Sequence, residues 1–200
     1  MNLTKPKVLL FDLGGVLVDW AGIDPLLALT AGRLSPEQAR KFWLESAAVR
    51  DFERGRCGAE EFARATVADL RLTCAPAEFL VQFESWDRGP FPGAVELLAE
   101  LAPQYYLACL SNNNELHWRR LRQCPGFLDR FQQRFVSFEI GKIKPDPDVF
   151  EYVLARLDAP PASVLFFDDN PECVEAARRL GLRARHVQGV AAVRAALRAL

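Results

Sequence analysis

The second half of the chain alternates short apolar runs with amphipathic stretches, and this alternation constrains the fold more than any other feature. The pattern predicts helices at residues 94–101, 114–123, 147–157 and 171–180, strands at 105–110, 135–138, 164–167 and 184–187, and a last helix towards the C-terminus. One further strand is predicted near the start of the chain, at residues 8–11. Strands that alternate with helices pair in parallel, because each right-handed crossover lays its helix against the sheet. We therefore expect an α/β protein.

Residues 19–88 show no convincing strand pattern but carry several helix signals. Asp24 and Ser35 each precede a proline, as an N-cap does when proline occupies the first helical position, and Ser35 is followed by Gln38 in a capping box. Apolar residues then recur at helical spacing. We predict a three-layer, Rossmann-like core from residues 1–17 and 90–200, with an all-helical cap at 18–89 inserted after the first strand. An insertion there would cover the carboxyl ends of the strands, where a lid belongs.

Composition and charge argue against several functional classes. The 25 basic and 26 acidic residues give a net charge of −1, which offers no reason to expect nucleic acid or a membrane as a partner. No apolar run approaches the length of a membrane span or a signal-peptide core. The five cysteines are odd in number and form no CxxC pair, which favours a reducing, cytoplasmic setting over a disulfide framework. Two histidines argue against a zinc site.

Acidic residues follow two of the predicted strands. Asp12 ends the first strand and precedes two glycines, so the chain can turn sharply and leave the carboxylate at the sheet edge. A carboxylate placed there can attack phosphorus and form an aspartyl-phosphate, although a loop or helix-capping aspartate is the alternative. Asp168 and Asp169 end the strand at 164–167, and oxygen ligands from two strands are what Mg²⁺ prefers. We assign the cap of the next helix to Asn170, which leaves both aspartates free.

Basic and hydroxyl residues occupy two further loops. Lys144 lies in a proline-fixed loop before a helix that we expect Asp146 to cap, and its ammonium could neutralise both a phosphate and a carboxylate. Lys142, two residues earlier, fits a solvated surface lysine better. Ser111 and Asn112 follow the strand at 105–110, where hydroxyl, amide and backbone N–H groups can hold a phosphate oxygen, although ordinary helix capping explains them equally well.

The order and spacing of these motifs resemble the haloacid dehalogenase superfamily over nearly the whole chain. The strings FDLGGVLVD, LSNNN, GKIKPDPDVF and VLFFDDN, with FERG in the cap, are most similar to bacterial α-D-glucose-1-phosphate phosphatases and to the phosphatase domain of bifunctional epoxide hydrolases. The resemblance implies that Asp12 is the nucleophile and that Mg²⁺ is held by Asp12, the Gly14 carbonyl and Asp169, with Asp168 helping through water or Lys144. It also implies that Ser111, Asn112 and Lys144 bind the phosphoryl group.

Gly14 departs from the usual pattern of that superfamily. Most of its phosphatases have a second aspartate two residues after the nucleophile, which protonates the leaving group and then activates water. The glucose-1-phosphate phosphatases that this chain resembles also have glycine here. A sugar 1-phosphate releases a hemiacetal anion that is more stable than an ordinary alkoxide, so such an ester depends less on the acid.

The sequence thus predicts a magnesium-dependent phosphatase of a small phosphate ester, with a sugar phosphate such as a hexose 1-phosphate as the favoured substrate. Two alternatives are a metal-independent haloacid dehalogenase, which the Asp168–Asp169 pair disfavours, and a phospholigand-binding protein without catalysis, which Gly14 suggests. Specificity is expected to lie in the cap. The candidate residues there are Trp20, Trp43, Arg50, Phe52, Glu53 and Arg54, although packing within the cap is the competing explanation for each of them.

Overall fold

A computed structural model describes residues 5–199. The two ends of the predicted core, residues 1–4 and residue 200, lie outside this range. In chain order the strands are β1 (Val8–Phe11), β2 (Val18–Trp20), β3 (Asp87–Pro90), β4 (Tyr106–Ser111), β5 (Gln133–Val136), β6 (Val164–Asp168) and β7 (Arg183–His186). The helices are α1 (Ile23–Leu29), α2 (Pro36–Glu45), α3 (Ala47–Glu53), α4 (Ala59–Asp69), α5 (Pro76–Glu84), α6 (Ala94–Leu101), α7 (Glu115–Leu121), α8 (Ser137–Ile140), α9 (Pro147–Leu157), α10 (Pro171–Arg179) and α11 (Gly189–Arg198). No helix among the described residues could span a membrane.

Five parallel strands form the central sheet in the order β5-β4-β1-β6-β7, which confirms the predicted fold class. The central strand β1 is buried on both faces: Leu9 and Phe11 pack into one apolar cluster, and Val8 and Leu10 pack into the other. This double burial explains why its sequence is a continuous apolar run rather than an alternating one.

Most predicted elements of the core lie within a residue or two of their observed bounds, and the strand predicted near 135–138 is displaced by two residues. The strand is β5, at Gln133–Val136, and the chain turns into the short helix α8 at Ser137. Ser137 explains the change, since its hydroxyl accepts a hydrogen bond from Asn113 N at 2.9 Å and donates one to Asn113 O at 3.0 Å. These bonds tie the residue to the loop after β4 instead of to the sheet.

Helices α1 to α5 form the predicted helical cap around an aromatic core of their own. Phe52 and Phe62 stack at 4.4 Å between ring centroids, and Phe83 and Trp86 pack against them. Ser35 and Gln38 make the predicted capping box of α2. The prediction of Asp24 as an N-cap is wrong, because α1 already begins at Ile23.

A short antiparallel ribbon joins the cap to the core. It pairs β2 with β3, so the expectation of no strand between residues 19 and 88 is wrong at both ends of that region. Further contacts seat the cap: His117 of α7 donates its Nε2–H to the carbonyl of Phe83 at 2.8 Å, and Arg119 pairs with Glu84 at 2.9 Å. Burial lowers the pKa of His117 to about 4, so the imidazole is neutral and stays a structural link.

Candidate active site

Polar residues from three adjacent strands meet at the carboxyl edge of the sheet. Asp12 follows β1, Ser111 ends β4 and Asp168 ends β6, and all three are buried. The backbone N–H of Asp12 donates to Phe167 O at 2.8 Å, which extends the β1–β6 pairing by one residue and fixes the aspartate at the edge. The sheet topology therefore brings together side chains that lie far apart in the sequence.

Lys144 joins two of these carboxylates. Its ammonium lies 2.8 Å from Asp12 Oδ1 and 2.7 Å from Asp168 Oδ2, and the residue is 4% exposed. Burial acts to lower the pKa of Lys144, but attraction to Asp12 and Asp168 outweighs burial and raises it, so the ammonium stays charged. Lys142 pairs instead with Asp148 at the surface, as expected of the solvated lysine of the two.

Asn112 holds the loop that carries Lys144. Its side-chain Oδ1 accepts from Lys144 N at 2.8 Å, and its Nδ2 donates to Lys144 O at 2.9 Å. Both ends of the Asn112 amide therefore position Lys144, and the binding of a phosphoryl group by Asn112 stays a prediction. Ser111 lies beside it, buried at the end of β4 and lining the same cavity.

Three carboxylates form an acidic cluster beside Lys144. Asp12, Asp168 and Asp169 each offer an oxygen within 4.8 Å of the others. Burial, followed by repulsion from neighbouring carboxylates, raises the pKa of Asp169, and burial raises that of Asp12 well above its usual range. Both oxygens of Asp168 are already engaged, Oδ2 by Lys144 and Oδ1 by Asn170 N at 2.7 Å. A single lysine thus faces three carboxylates, and a divalent cation with a preference for oxygen ligands fits this excess of negative charge.

Asn170 caps α10, as predicted, by accepting a hydrogen bond from Glu172 N at 2.9 Å. Asp146 does not cap α9 with its side chain. Its carboxylate instead pairs with Arg50 of α3, at 3.1 Å, and with Arg54, which directly follows α3. The signal for this link was present in the sequence, because two arginines four residues apart share one face of a helix.

The two glycines after Asp12 have different roles. Gly15 has a φ of +70°, and a Cβ there would lie 2.2 Å from Asp169 Oδ2, so the close approach of the loops requires glycine. Gly14 has neither constraint, since an added Cβ would meet only Trp20 Cβ, at 3.7 Å. The missing carboxylate at position 14 is thus a chemical feature of the site and not a demand of the turn.

A cavity of about 410 Å³ opens over the acidic cluster between core and cap. Of the cap residues predicted to face a substrate, Trp20, Trp43, Arg50 and Glu53 line it. Phe52 does not, because it is buried in the cap core, and Arg54 turns to Asp146. Arg40 also lines the cavity and was missed, since nothing in the sequence distinguishes it from the many surface arginines.

The sequence model of the haloacid dehalogenase-like hydrolases matches residues 6–181, and the chain belongs to this family. Among its curated relatives, a phosphatase of Mycobacterium tuberculosis is 29% identical over 89% of this chain and 85% of its own length. A D-ribitol-5-phosphate phosphatase of Bacteroides thetaiotaomicron is 25% identical over 88% of each chain.

The fold is also shared with solved structures. A haloacid dehalogenase family enzyme of Bacteroides thetaiotaomicron, crystallised with magnesium and inorganic phosphate, superposes with a TM-score of 0.74. It covers 92% of this chain and 94% of its own, at 23% identity. At that identity the similarity establishes the common architecture, including a helical cap above a parallel sheet.

Proposed function

We propose that the protein is a magnesium-dependent phosphatase of a small phosphorylated metabolite and that it works through an aspartyl-phosphate on Asp12. The observation that carries this proposal is the buried ammonium of Lys144, held at 2.7–2.8 Å between Asp12 and Asp168 at the floor of a cavity. An anionic nucleophile repels a phosphate dianion, so a positive charge beside it is a requirement of this chemistry.

The proposed division of roles follows the local contacts. Asp12 attacks phosphorus, Lys144 balances the charge of the incoming phosphoryl group, and Ser111 donates a hydrogen bond to one of its oxygens. Asn112 acts by holding the Lys144 loop in place. Asp12, Asp169 and the Gly14 carbonyl would hold Mg²⁺, with Asp168 supporting the site through Lys144. The metal would supply the positive charge that one lysine cannot provide against three carboxylates.

A sugar or polyol phosphate is the substrate class we favour, with a hexose 1-phosphate as the specific candidate. The cavity is large enough for one small ligand, and its walls combine aromatic rings of Trp20 and Trp43 with the charged groups of Arg50 and Glu53. Polar groups of this kind can bind hydroxyls. One relative is named as a D-ribitol-5-phosphate phosphatase, and ribitol 5-phosphate is a polyol phosphate.

A metal-independent dehalogenase would use the same nucleophile but has less support. Burial and neighbouring carboxylates raise the pKa of both Asp12 and Asp169, which means that their ionised forms are disfavoured without a further cation. A carboxylate that must attack carbon as an anion gains nothing from two more carboxylates beside it. The same cluster is useful only if a cation binds there.

Phosphate release from a panel of esters, with and without Mg²⁺, tests the proposal directly. The panel should include hexose 1- and 6-phosphates, a pentitol 5-phosphate, p-nitrophenyl phosphate and an apolar ester such as a prenyl phosphate. Asp12→Asn should abolish release, because an amide cannot form the aspartyl-phosphate, while Asp19→Asn on β2 should leave it intact. A folded Asp12→Asn protein with wild-type turnover, or activity that survives chelation of the metal, would overturn the proposal.

A further inference from the structure

Gly14 leaves the site without the proton donor that phosphatase chemistry on an ordinary ester needs, and the cavity offers a replacement from the cap. We propose that Glu53, the last residue of α3, is the general acid and base of this site. This inference rests on the proposed phosphatase function. It assigns to the cap a role that a core carboxylate two residues after the nucleophile would otherwise have.

Glu53 is the best placed of the carboxylates around the cavity that do not belong to the acidic cluster. Asp146 is occupied by Arg50 and Arg54, and Asp87 accepts a hydrogen bond from Gly89 N at 2.8 Å in the ribbon between core and cap. Glu45 and Glu172 are exposed, Glu45 at the end of α2 beside Lys41 and Glu172 in the first turn of α10. Glu53 is partly buried and lines the cavity, and Lys144 is its strongest favourable charge. Lys144, whose ammonium contacts Asp12, lines the same cavity.

The end of α3 is held firmly against the core. Arg50 and Arg54 pair with Asp146, which lies two residues after Lys144. Gly55, with a φ of +68°, passes so close to α8 that an added Cβ would lie 2.4 Å from Phe138 O. These contacts lie on either side of Glu53 in the sequence and fix its position relative to the Lys144 loop.

The surroundings of Glu53 allow it both to give and to accept a proton near neutral pH. Burial raises its pKa from 4.5 to about 7, against the opposing effects of Lys144, Arg50, a hydrogen bond from Trp43, and Arg54. Those three cations and the indole are the groups that act on it from α3, α2 and the Lys144 loop. A general acid works best when its pKa lies near the working pH.

The two chemical steps then balance as follows. An Asp12 oxygen forms a bond to phosphorus while the bond from phosphorus to the ester oxygen breaks. The electron pair goes to the ester oxygen, which takes the proton of neutral Glu53 and leaves as an alcohol. In the second step ionised Glu53 takes a proton from water as the water oxygen bonds to phosphorus. The bond from phosphorus to Asp12 breaks, its electron pair returns to the carboxylate, and inorganic phosphate leaves.

Glu53→Gln tests the role, with Asp51→Asn as a control that removes one negative charge from an exposed part of the same helix. The assay compares p-nitrophenyl phosphate with the alkyl phosphate that the wild type turns over fastest. Because p-nitrophenolate leaves without a proton, Glu53→Gln should release one equivalent rapidly and then turn over slowly. On the alkyl ester kcat/KM should fall by about 10²–10⁴-fold. Asp51→Asn should match the wild type on both esters.

Restoring an acid at position 14 provides an independent check, because Gly14 has room for a Cβ. Gly14→Asp in the Glu53→Gln background should recover at least about ten-fold of the lost activity on the alkyl ester. The activity of the wild type on that ester should fall as the pH rises above about 7, because Glu53 then loses its proton. This fall in activity should be absent in Glu53→Gln.

Several results would overturn the assignment of Glu53. The first is wild-type turnover of the alkyl ester by Glu53→Gln. The second is an equal fall, for Glu53→Gln on p-nitrophenyl phosphate, in the rapid first release and in later turnover. The third is a folded Gly14→Asp, Glu53→Gln double variant that recovers no activity on the alkyl ester. If the wild type itself released no phosphate from any ester, the proposed function would fail and this inference with it. An active wild type with an unaffected Glu53→Gln would instead refute the inference alone.

Discussion

Replacing Lys144 by methionine should cost far more stability than the same change at Lys142. Lys144 is buried and contacts two carboxylates, Asp12 and Asp168, whereas the Lys142 pair is partly open to solvent. Methionine keeps most of the apolar stem of lysine, is one atom shorter, and removes the ammonium with its charge and hydrogen-bond donors. The comparison therefore isolates the value of one buried cation between two buried carboxylates.

The size of the effect follows from these contacts. Removing one partner of a buried ion pair costs about 3–5 kcal/mol, because the other charge stays buried and uncompensated. In a chain of this length each kcal/mol lowers the melting temperature by about 2–4 °C, so Lys144→Met should melt roughly 6–20 °C below the wild type. The exposed pair of Lys142 is worth about 0–1 kcal/mol, so Lys142→Met should melt within about 4 °C of it.

Differential scanning calorimetry at pH 7.5 without Mg²⁺ measures the difference, and its pH dependence tests the cause. In Lys144→Met the pKa of Asp12 should rise further, because its partner cation is lost. Stability should then fall as the pH rises, and the deficit against the wild type should shrink when the pH is lowered to about 5. Equal melting temperatures for the two lysine variants, or a deficit that does not change with pH, would refute this reasoning.

Three further predictions concern the same cavity. Asp169→Asn should raise the Mg²⁺ concentration needed for half-maximal phosphate release by at least about ten-fold, because a charged ligand is lost, while the circular dichroism spectrum stays unchanged. Gly15→Ala should lower the melting temperature and Gly14→Ala should not. Only Gly15 combines a positive φ, which costs another residue about 1–2 kcal/mol, with a close approach to Asp169, so equal falls in melting temperature would contradict this reasoning. The raised pKa of Glu53 means that its contribution to stability is present below about pH 4.5 and is lost as the pH rises to about 7, so Glu53→Gln should melt above the wild type at pH 8 and close to it near pH 4.

The core could be predicted from the sequence because burial on both faces leaves a distinctive pattern. β1 is apolar at every position, α9 carries a regular apolar stripe, and both have the predicted bounds. The edge strand β5 could not be placed this way, since Gln133 and Arg134 are polar and Phe138 continues the apolar run into a helix. A pattern cannot show that Ser137 bonds to another loop, because that contact is set by the fold.

The short ribbon between core and cap escaped prediction for a different reason. β3 consists of Asp87, Arg88, Gly89 and Pro90, and aspartate, glycine and proline are depleted in strands. Tertiary context decides its conformation. The chain enters the cap through β2 and returns to the core through β3, and the two strands pair side by side. Local propensity is a weak guide when a strand of three or four residues is held by the elements around it.

The environments of three consecutive cap residues could not be distinguished from the sequence. Phe52, Glu53 and Arg54 are consecutive and were equal candidates to face a substrate. In a helix consecutive side chains point about 100° apart, so the three side chains are expected to face different surroundings. The structure sends Phe52 into the cap core, Glu53 to the cavity and Arg54 to Asp146. The packing of Phe52 among the aromatic rings of the cap sets which side of α3 faces the cavity. The local sequence does not show this packing.

The placement of Glu53 has a consequence for how the proposed reaction is controlled. If nucleophile and acid both lay on the loop after β1, the chemistry would be complete in the core alone. With Gly14 in that loop and the carboxyl group on α3, proton transfer needs the cap to be seated on the core. The pairs from Arg50 and Arg54 to Asp146 then join the closure of the cap to the Lys144 loop itself. In such an arrangement water is excluded by the same movement that delivers the proton, so an open cap protects the ester bond from cleavage before the substrate is enclosed.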